Sequence, residues 1–346
     1  MSGRIPLNAD LTSVWATTAE VINLNYHAVR VNLESGQRTV LPNPAPDWRP
    51  GKTWQSDSFD LRESWHSPDW LDGSVPNCWS TPVSWQIRQV SSNGASVVAR
   101  GSSRRIRPVA YLNEICGGPY GGDFAVDPDG TQIAYSSEAP VAPGLANPYP
   151  ITVQSLVTGA VERRIAAGPM WGLAISGSRV AWSEAAPKKP QDPLRLMLSE
   201  TGRAPVKIAS YVGDVYLTAS RLVWQQDSQT EPGPCYLGLL RVLELGSGSP
   251  SGRDAADLSS KGWCAVYVAS GDGYVAWTEE QAGVTRIMVL APSATRPVEV
   301  RLPDGFVSGD RGGVEQIAIG GGWFATEVDE SRIAAFPLSL VDAAAP

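Results

Sequence analysis

A short apolar strand, a tight turn and a second strand that closes on an aromatic and then an acidic residue recur along this chain. The plainest copy sets Phe124, Ala125 and Val126 against Ile133, Ala134 and Tyr135 across Asp127-Pro128-Asp129-Gly130, whose proline and glycine supply the dihedral angles of a turn. Trp182, Trp224 and Trp277 close the second strand of three further copies, opposite first strands at 173–175, 215–217 and 266–268. A last copy runs from 317–319 to 323–325, and the N-terminus fits the template with strands at 5–8 and 13–16. A second hairpin follows, as at 27–31 with 38–41 across Ser35-Gly36, or at 151–153 with 161–163 across Thr158-Gly159. Four antiparallel strands per repeat make one blade of a β-propeller.

Equivalent positions Val126, Ile175, Leu217, Val268 and Ile319 recur with a period of about fifty residues. Between Leu7 and Val126 there is room for two more blades and an insertion of about twenty residues. The expected fold is therefore all-β, a single β-propeller over 1–346 with seven four-stranded blades, or six if blade 2 is a capped half-blade. Blade 2 shows an outer hairpin at 83–99 across Ser92-Asn93-Gly94, but no legible inner strands in 54–75. A tryptophan-rich loop insertion is expected there, over 43–82. Blade 7 lacks a fourth strand after 332–338, and either terminus is expected to close the ring, because an unpaired edge is a liability.

Composition agrees with many turns and little helix: 34 glycines and 28 prolines, with only 18 % charged residues, in 346. The run from Phe124 through Asp127-Pro128-Asp129-Gly130 to Tyr135 and Ser137 resembles the repeat of TolB-type β-propellers, a strand, then Ser or Asp followed by Pro-Asp-Gly, and an apolar strand ending in an aromatic. Blades 4 to 6 keep the aromatic and lose the Pro-Asp-Gly. The resemblance implies a shape shared by binding scaffolds, peptidase gating domains and lyases, and little chemistry.

Net charge is −7, the sign that phosphate backbones and anionic lipids repel, so nucleic-acid and membrane-surface roles are not expected. No apolar run is long enough for a membrane span, and residues 1–11 lack the apolar core of a signal peptide. The chain is then cytoplasmic, or a mature form whose leader was removed. Catalytic signatures of propellers and hydrolases are missing: no Ser-x-Asp-x-Gly-x-x-Trp box, no Gly-x-Ser-x-Gly elbow and no glycine-rich phosphate loop. Two histidines, His27 and His66, rule out a three-histidine metal site.

In a propeller the start of each inner strand and the end of each second strand meet on one rim. Tyr120, Asp123, Trp171, Asp214, Trp263 and Glu315 precede or open inner strands, and Glu138, Glu184, Asp227, Glu279 and Glu327 follow second strands. Their carboxylates would make the rim negative, attract a cationic ligand, and offer the oxygen ligands that calcium takes. Solvated turn acids are the plain alternative. Tyr135, Trp182, Trp224 and Trp277 occupy equivalent mid-blade sites and are expected to pack between blades.

Six of the thirteen tryptophans, Trp48, Trp54, Trp65, Trp70, Trp79 and Trp85, crowd the region of the insertion. They offer a stacking surface for a sugar or aromatic ligand, or a mini-core that holds a long loop down. His66, beside Trp65, Asp69 and Trp70, is the best acid/base candidate. Arg104, Arg105 and Arg107 form the one dense basic cluster, a carboxylate clamp or a solvated connector. Cys78 and Cys235 precede third strands while Cys116 and Cys264 precede first strands, so disulfides Cys78–Cys116 and Cys235–Cys264 are expected between neighbouring blades. Such bonds imply secretion or the periplasm; four free thiols would imply the cytoplasm. The resulting expectation is a monomeric extracytoplasmic propeller that binds a glycan, peptide or protein on its rim. The rival is a propeller lyase, hydrolase or cyclase using His66, Asp123 or Asp214.

Overall fold

The structure, a computed structural model, describes residues 13–20, 25–32, 38–41, 49–55, 59–66, 83–91, 94–103, 106–108, 116–119, 124–137, 149–168, 170–184, 194–226, 239–246, 255–260, 262–281, 284–300, 316–320, 322–329 and 332–344. They fall in two compact units, Met1–Asn43 with Ile208–Pro346, and Pro44–Lys207.

Short alternating strands separated by tight turns fold back on their immediate neighbours, and every sheet of the described residues is an antiparallel run of consecutive strands. Sheet I contains β1 (Ser13–Glu20), β2 (Asn25–Asn32) and β3 (Arg38–Leu41). Sheet II contains β4 (Arg49–Gln55), β5 (Asp60–His66), β6 (Val83–Ser91) and β7 (Gly94–Ser103), and a ribbon of β8 (Ile106–Pro108) and β9 (Cys116–Pro119) follows. Sheet III is β10 (Phe124–Val126), β11 (Gln132–Ser136), β12 (Ile151–Ser155) and β13 (Val161–Ile165); sheet IV is β14 (Met170–Ser176), β15 (Arg179–Glu184), β16 (Arg195–Glu200) and β17 (Val206–Ser210). Sheet V is β18 (Val212–Leu217), β19 (Arg221–Gln226), β20 (Leu239–Glu244) and β21 (Ala256–Asp257); sheet VI is β22 (Cys264–Gly271), β23 (Tyr274–Gln281), β24 (Val284–Leu290) and β25 (Val298–Val300). Sheet VII is β26 (Gln316–Gly320), β27 (Trp323–Asp329) and β28 (Arg332–Pro337), and helix α1 (Ser339–Ala344) stands after it in place of a fourth strand.

Successive residues of a strand point to opposite faces, yet Val180 through Glu184 are all buried, as are Tyr274 through Glu279. These sheets are packed on both faces. In the unit Pro44–Lys207, Trp182 lies among Ile151, Val153, Met170 and Leu173, while Trp85 lies among Leu61, Ile87, Phe124 and Ile133. In the other unit Trp277 and Val275 share a core with Leu240, Ile319 and Phe324. Alanines 181 and 276 are fully buried on the face opposite the tryptophans that follow them. The inner strands β22 and β26 approach so closely at Gly271 that a Cβ there would collide with the Ile319 carbonyl oxygen.

The two ends of each sheet differ. First and second strands join through tight turns, such as Asp272-Gly273, where φ of 51° and 82° at both central positions marks a type I′ hairpin. Second and third strands join at the opposite end, through residues 67–82, 137–150, 185–194 and 227–238 in sheets II to V, but only 282–283 and 330–331 in sheets VI and VII. At that same end β4, β14, β18 and β22 each carry a bulge near the first residue, between Pro50 and Thr53, Met170 and Gly172, Val212 and Val215, and Ala265 and Val268.

The expected loop at 43–82 needs correction, because it contains two strands. β4 and β5 supply the inner half of sheet II and place Trp54 and Trp65 in strands. Their alternation is hidden by the bulge and by a polar face carrying Asp60, Arg62, Ser64 and His66. The expected first strand at 5–8 lies outside the described residues. Helix α1 is held by buried Leu338 and Val341 and by Tyr274, whose hydroxyl donates to the two Asp342 carboxylate oxygens at 2.6 and 2.7 Å.

Candidate functional site

Trp182 and Glu184 are two residues apart on β15 and therefore share a face. Glu184 is buried, and its carboxylate accepts from Trp182 Nε1 at 2.8 Å, from the Gly168 amide at 2.6 Å and from Arg195 Nη2 at 2.6 Å. Gly168 lies in the crossing that carries the chain from β13 to β14, and Arg195 faces Glu184 across the ladder. Glu279 repeats the arrangement with no exposed surface: it accepts from Trp277 Nε1 at 3.0 Å, from the Ser260 amide at 2.8 Å and from Arg286 Nε at 2.8 Å. Ser260 again lies in a crossing, from β21 to β22.

Sheet V carries Gln226 at the equivalent place, and its surroundings explain the change. Its Oε1 accepts from Trp224 Nε1 at 3.0 Å, while its Nε2 donates to the Ser210 and Tyr211 carbonyl oxygens at 2.6 and 3.1 Å. Where the crossing presents N–H groups the sequence has a carboxylate; where it presents carbonyls the sequence has an amide. Tyr211, with φ of 63°, turns its peptide toward Gln226. The acids expected to project from a rim at 184 and 279 are thus corrected to interior acceptors that hold crossings.

The bulged heads of the inner strands carry other candidates. Trp171 is the bulged, half-buried residue of β14. Asp214 is bulged and exposed on β18, and its charge adds to burial in pushing the Tyr216 phenol well above its ordinary value. Gln225 lies beside this bulge, with Cβ and Oε1 each 3.6 Å from the Cβ position of Gly213, and its Nε2 donates to the Val266 carbonyl in the β22 bulge at 3.2 Å. The Tyr267 amide, displaced from the ladder, donates to Thr278 Oγ1 at 3.2 Å. Trp263, half-buried just before β22, has the Arg286 guanidinium 4.0 Å above its ring centre.

Cys264 opens β22 and is disulfide-bonded; its partner's side chain is not among those described. Cys116 opens β9, Arg107 lies in β8, His27 in β2, Glu327 in β27, and half-buried His66 closes β5 opposite Ser84. Tyr120, Asp123, Glu138, Asp227, Glu315, Trp70, Cys78, Cys235, Arg104 and Arg105 lie outside the described residues. Among those described, no three His, Cys, Asp or Glu converge as a metal site, and no helix is long and apolar enough to cross a membrane. Trp182, Trp224 and Trp277 are fully buried, as inter-blade packing requires, and Tyr135 packs against Trp85 at 6.4 Å between ring centres. Gln226, Arg195, Arg286 and Tyr267 had no place among the sequence candidates; the recurrence of a hydrogen-bonding residue two places after each tryptophan, Glu184, Gln226 and Glu279, was the available signal for Gln226, and no spacing within one strand points to the two arginines.

No protein-family model matches the sequence, and comparison with curated proteins yields no match. Solved structures do match. The β-propeller domain of the Trilobed protease from Pyrococcus furiosus aligns over 94 % of this chain and 90 % of its own, with a TM-score of 0.53 and 8 % identity. An uncharacterized protein from Listeria monocytogenes aligns over 97 % and 94 %, with 0.54 and 10 %. Pyrococcus horikoshii acylaminoacyl peptidase gives 0.57 and 9 % over 94 % of this chain, which spans about half (49 %) of that one. At these identities the likeness carries the fold and nothing further: the chain is a β-propeller.

Proposed function

We propose that this β-propeller is a ligand-binding module with seven TolB-type blades, and that it takes a peptide or protein segment, or a glycan, at the end of the sheets where second strands pass to third. One observation carries the reading. In sheets II to IV, within the unit Pro44–Lys207, that end bears connections far longer than a hairpin needs, at 67–82, 137–150 and 185–194, each with three or more prolines. Loops held at one edge of a rigid sheet are where recognition residues accumulate without disturbing the core. The first of them brings Trp70 and Trp79 as stacking surfaces, and the net charge of −7 with the exposed Asp214 on β18 favours a neutral or cationic ligand.

The disulfide at Cys264 supports an extracytoplasmic location. Pairing with Cys235 would fix the 227–238 connection to the head of β22, and Cys78 with Cys116 would fix 67–82 in the same manner. Non-reducing peptide mapping is expected to recover both pairs; four freely alkylated thiols would overturn the pairing and the location together. For binding, the full chain is applied to peptide and glycan arrays beside a variant in which 67–82 is replaced by a short Gly-Ser linker. Wild-type binding that the replacement abolishes, with the thermal transition retained, is the expected result. Silence of the wild type on both arrays would refute the module.

A further inference from the structure

We propose that the outer edge of β7 takes an extended acidic peptide of a partner protein as a fifth strand of sheet II, a surface that does not depend on the binding module proposed above. β7 is the last strand of its sheet, and among the described residues no strand pairs with its outer side. It is ten residues long, whereas the outermost strands of sheets III to VI, β13, β17, β21 and β25, have five, five, two and three. Shortness and charge are what keep an edge from pairing with another chain. Each of those four carries at least one charge within its short span, while β7 has one, Arg100, in ten residues. Residues 94–97 and 100–102 are exposed, Val97 at 47 %.

The chemistry of the partner follows from local charge. The chain has 35 acidic residues and a net charge of −7, yet none of those acids lies between Asp72 and Glu114, a span that holds Arg88, Arg100, Arg104, Arg105 and Arg107. The outer half of sheet II is thus a cationic edge on an acidic molecule, and it attracts what the rest of the chain repels. A bulge sets the length available for pairing: Ile87 faces Ala99 and Arg88 faces Val97, so Val98 is supernumerary and the strand bends there. Beyond the bend, residues 99–103 carry small side chains apart from Arg100, and in sequence they lead directly into Arg104 and Arg105. Main-chain hydrogen bonds along this run hold the peptide, and Arg100 selects a carboxylate among its alternate side chains.

The test uses the full chain and labelled peptides of about ten residues that alternate threonine with glutamate. One counterpart has lysine in place of glutamate, and another keeps the negative charge but has proline in place of threonine, so that it cannot continue a ladder. Fluorescence anisotropy is expected to give the threonine–glutamate peptide an affinity at least about tenfold above either counterpart, falling as salt rises. Amide exchange at 99–103 is expected to slow in the complex. Arg100→Gln should lower the affinity about threefold and Arg100→Lys preserve it, both at an unaltered melting temperature. Arg203→Gln, the same charge change in an exposed turn of sheet IV, should leave binding as it is. Equal binding of the proline peptide would reduce the effect to bulk charge and overturn strand addition, as would exchange protection confined to other residues, or no binding at all. A dimer that forms with concentration and protects 99–103 would assign the edge to a second copy of this chain and overturn the acidic partner.

Discussion

Exchanging the acceptors at 279 and 226 probes whether crossings are matched to their side chains by hydrogen-bond polarity. In Glu279→Gln the amide keeps the volume, but its N–H₂ must face one of the donors that now converge on a carboxylate: the Ser260 amide, Trp277 Nε1 and Arg286. Breaking a fully buried ion pair costs about 3–5 kcal/mol; Arg286, with its side chain 22 % exposed, recovers some hydration, so about 2–4 kcal/mol is expected. In Gln226→Glu a carboxylate is set against the Ser210 and Tyr211 carbonyls, exchanging two donated bonds for two acceptor–acceptor contacts, at about 2–3 kcal/mol. This carboxyl is better protonated when folded, so its folded pKa rises above the unfolded one near 4.3; the deficit should shrink toward acid pH and be complete at neutral pH. Urea unfolding of both variants at stepped pH gives the two profiles. If both isosteric changes fall within about 0.5 kcal/mol of wild type, the side chains at these positions merely fill space.

Arg221 is 4 % exposed and donates from Nη1 and Nη2 to the Ala291 and Ala294 carbonyls, each at 2.7 Å, so Arg221→Met should cost about 2–4 kcal/mol. Glu244→Gln, altering its 64 % exposed partner, should cost less than about 1 kcal/mol; equal losses would place the stabilisation in the ion pair. Gly271→Ala must separate β22 from β26 and should cost about 2 kcal/mol or more in denaturant unfolding, a wild-type midpoint contradicting the close approach. Burial, with Asp342 adding, pushes the Tyr274 phenol to about 12. The folded state keeps a proton that the unfolded chain releases near pH 10, so the stability advantage of wild type over Tyr274→Phe should be full below pH 10 and fade by pH 12; parallel curves would exclude the coupling.

The repeat was legible where its physics is local. Turn residues and an apolar second strand fix the hairpins of sheets III to VII, and Trp182, Trp224 and Trp277 sit in matching registers as their spacing implies. Sheet II was not, because Arg49, Pro50, Gly51 and Lys52 give β4 no apolar alternation and a bulge breaks what remains. The acids at 184 and 279 were misplaced for a different reason. An acid at a strand end reads as a turn residue, but two residues from a buried tryptophan it shares that tryptophan's face and its surroundings. The arginines that balance them come from the third strand, and pairing across a ladder is set by register, which the residues of one strand do not display.

The crossing contacts and the Arg221 contacts differ in the sequence distance that they span. Gly168, Trp182, Glu184 and Arg195 lie within one repeat, and so do Ser260, Trp277, Glu279 and Arg286, whereas Arg221 waits for carbonyls 70 and 73 residues downstream. During synthesis from the N-terminus each repeat can thus seal its own entry as soon as its third strand leaves the ribosome, with only a short loop to close. Arg221 acts later, fastening a finished repeat to the next, so that assembly proceeds in the direction of translation and its last long-range bonds are made only between parts already formed.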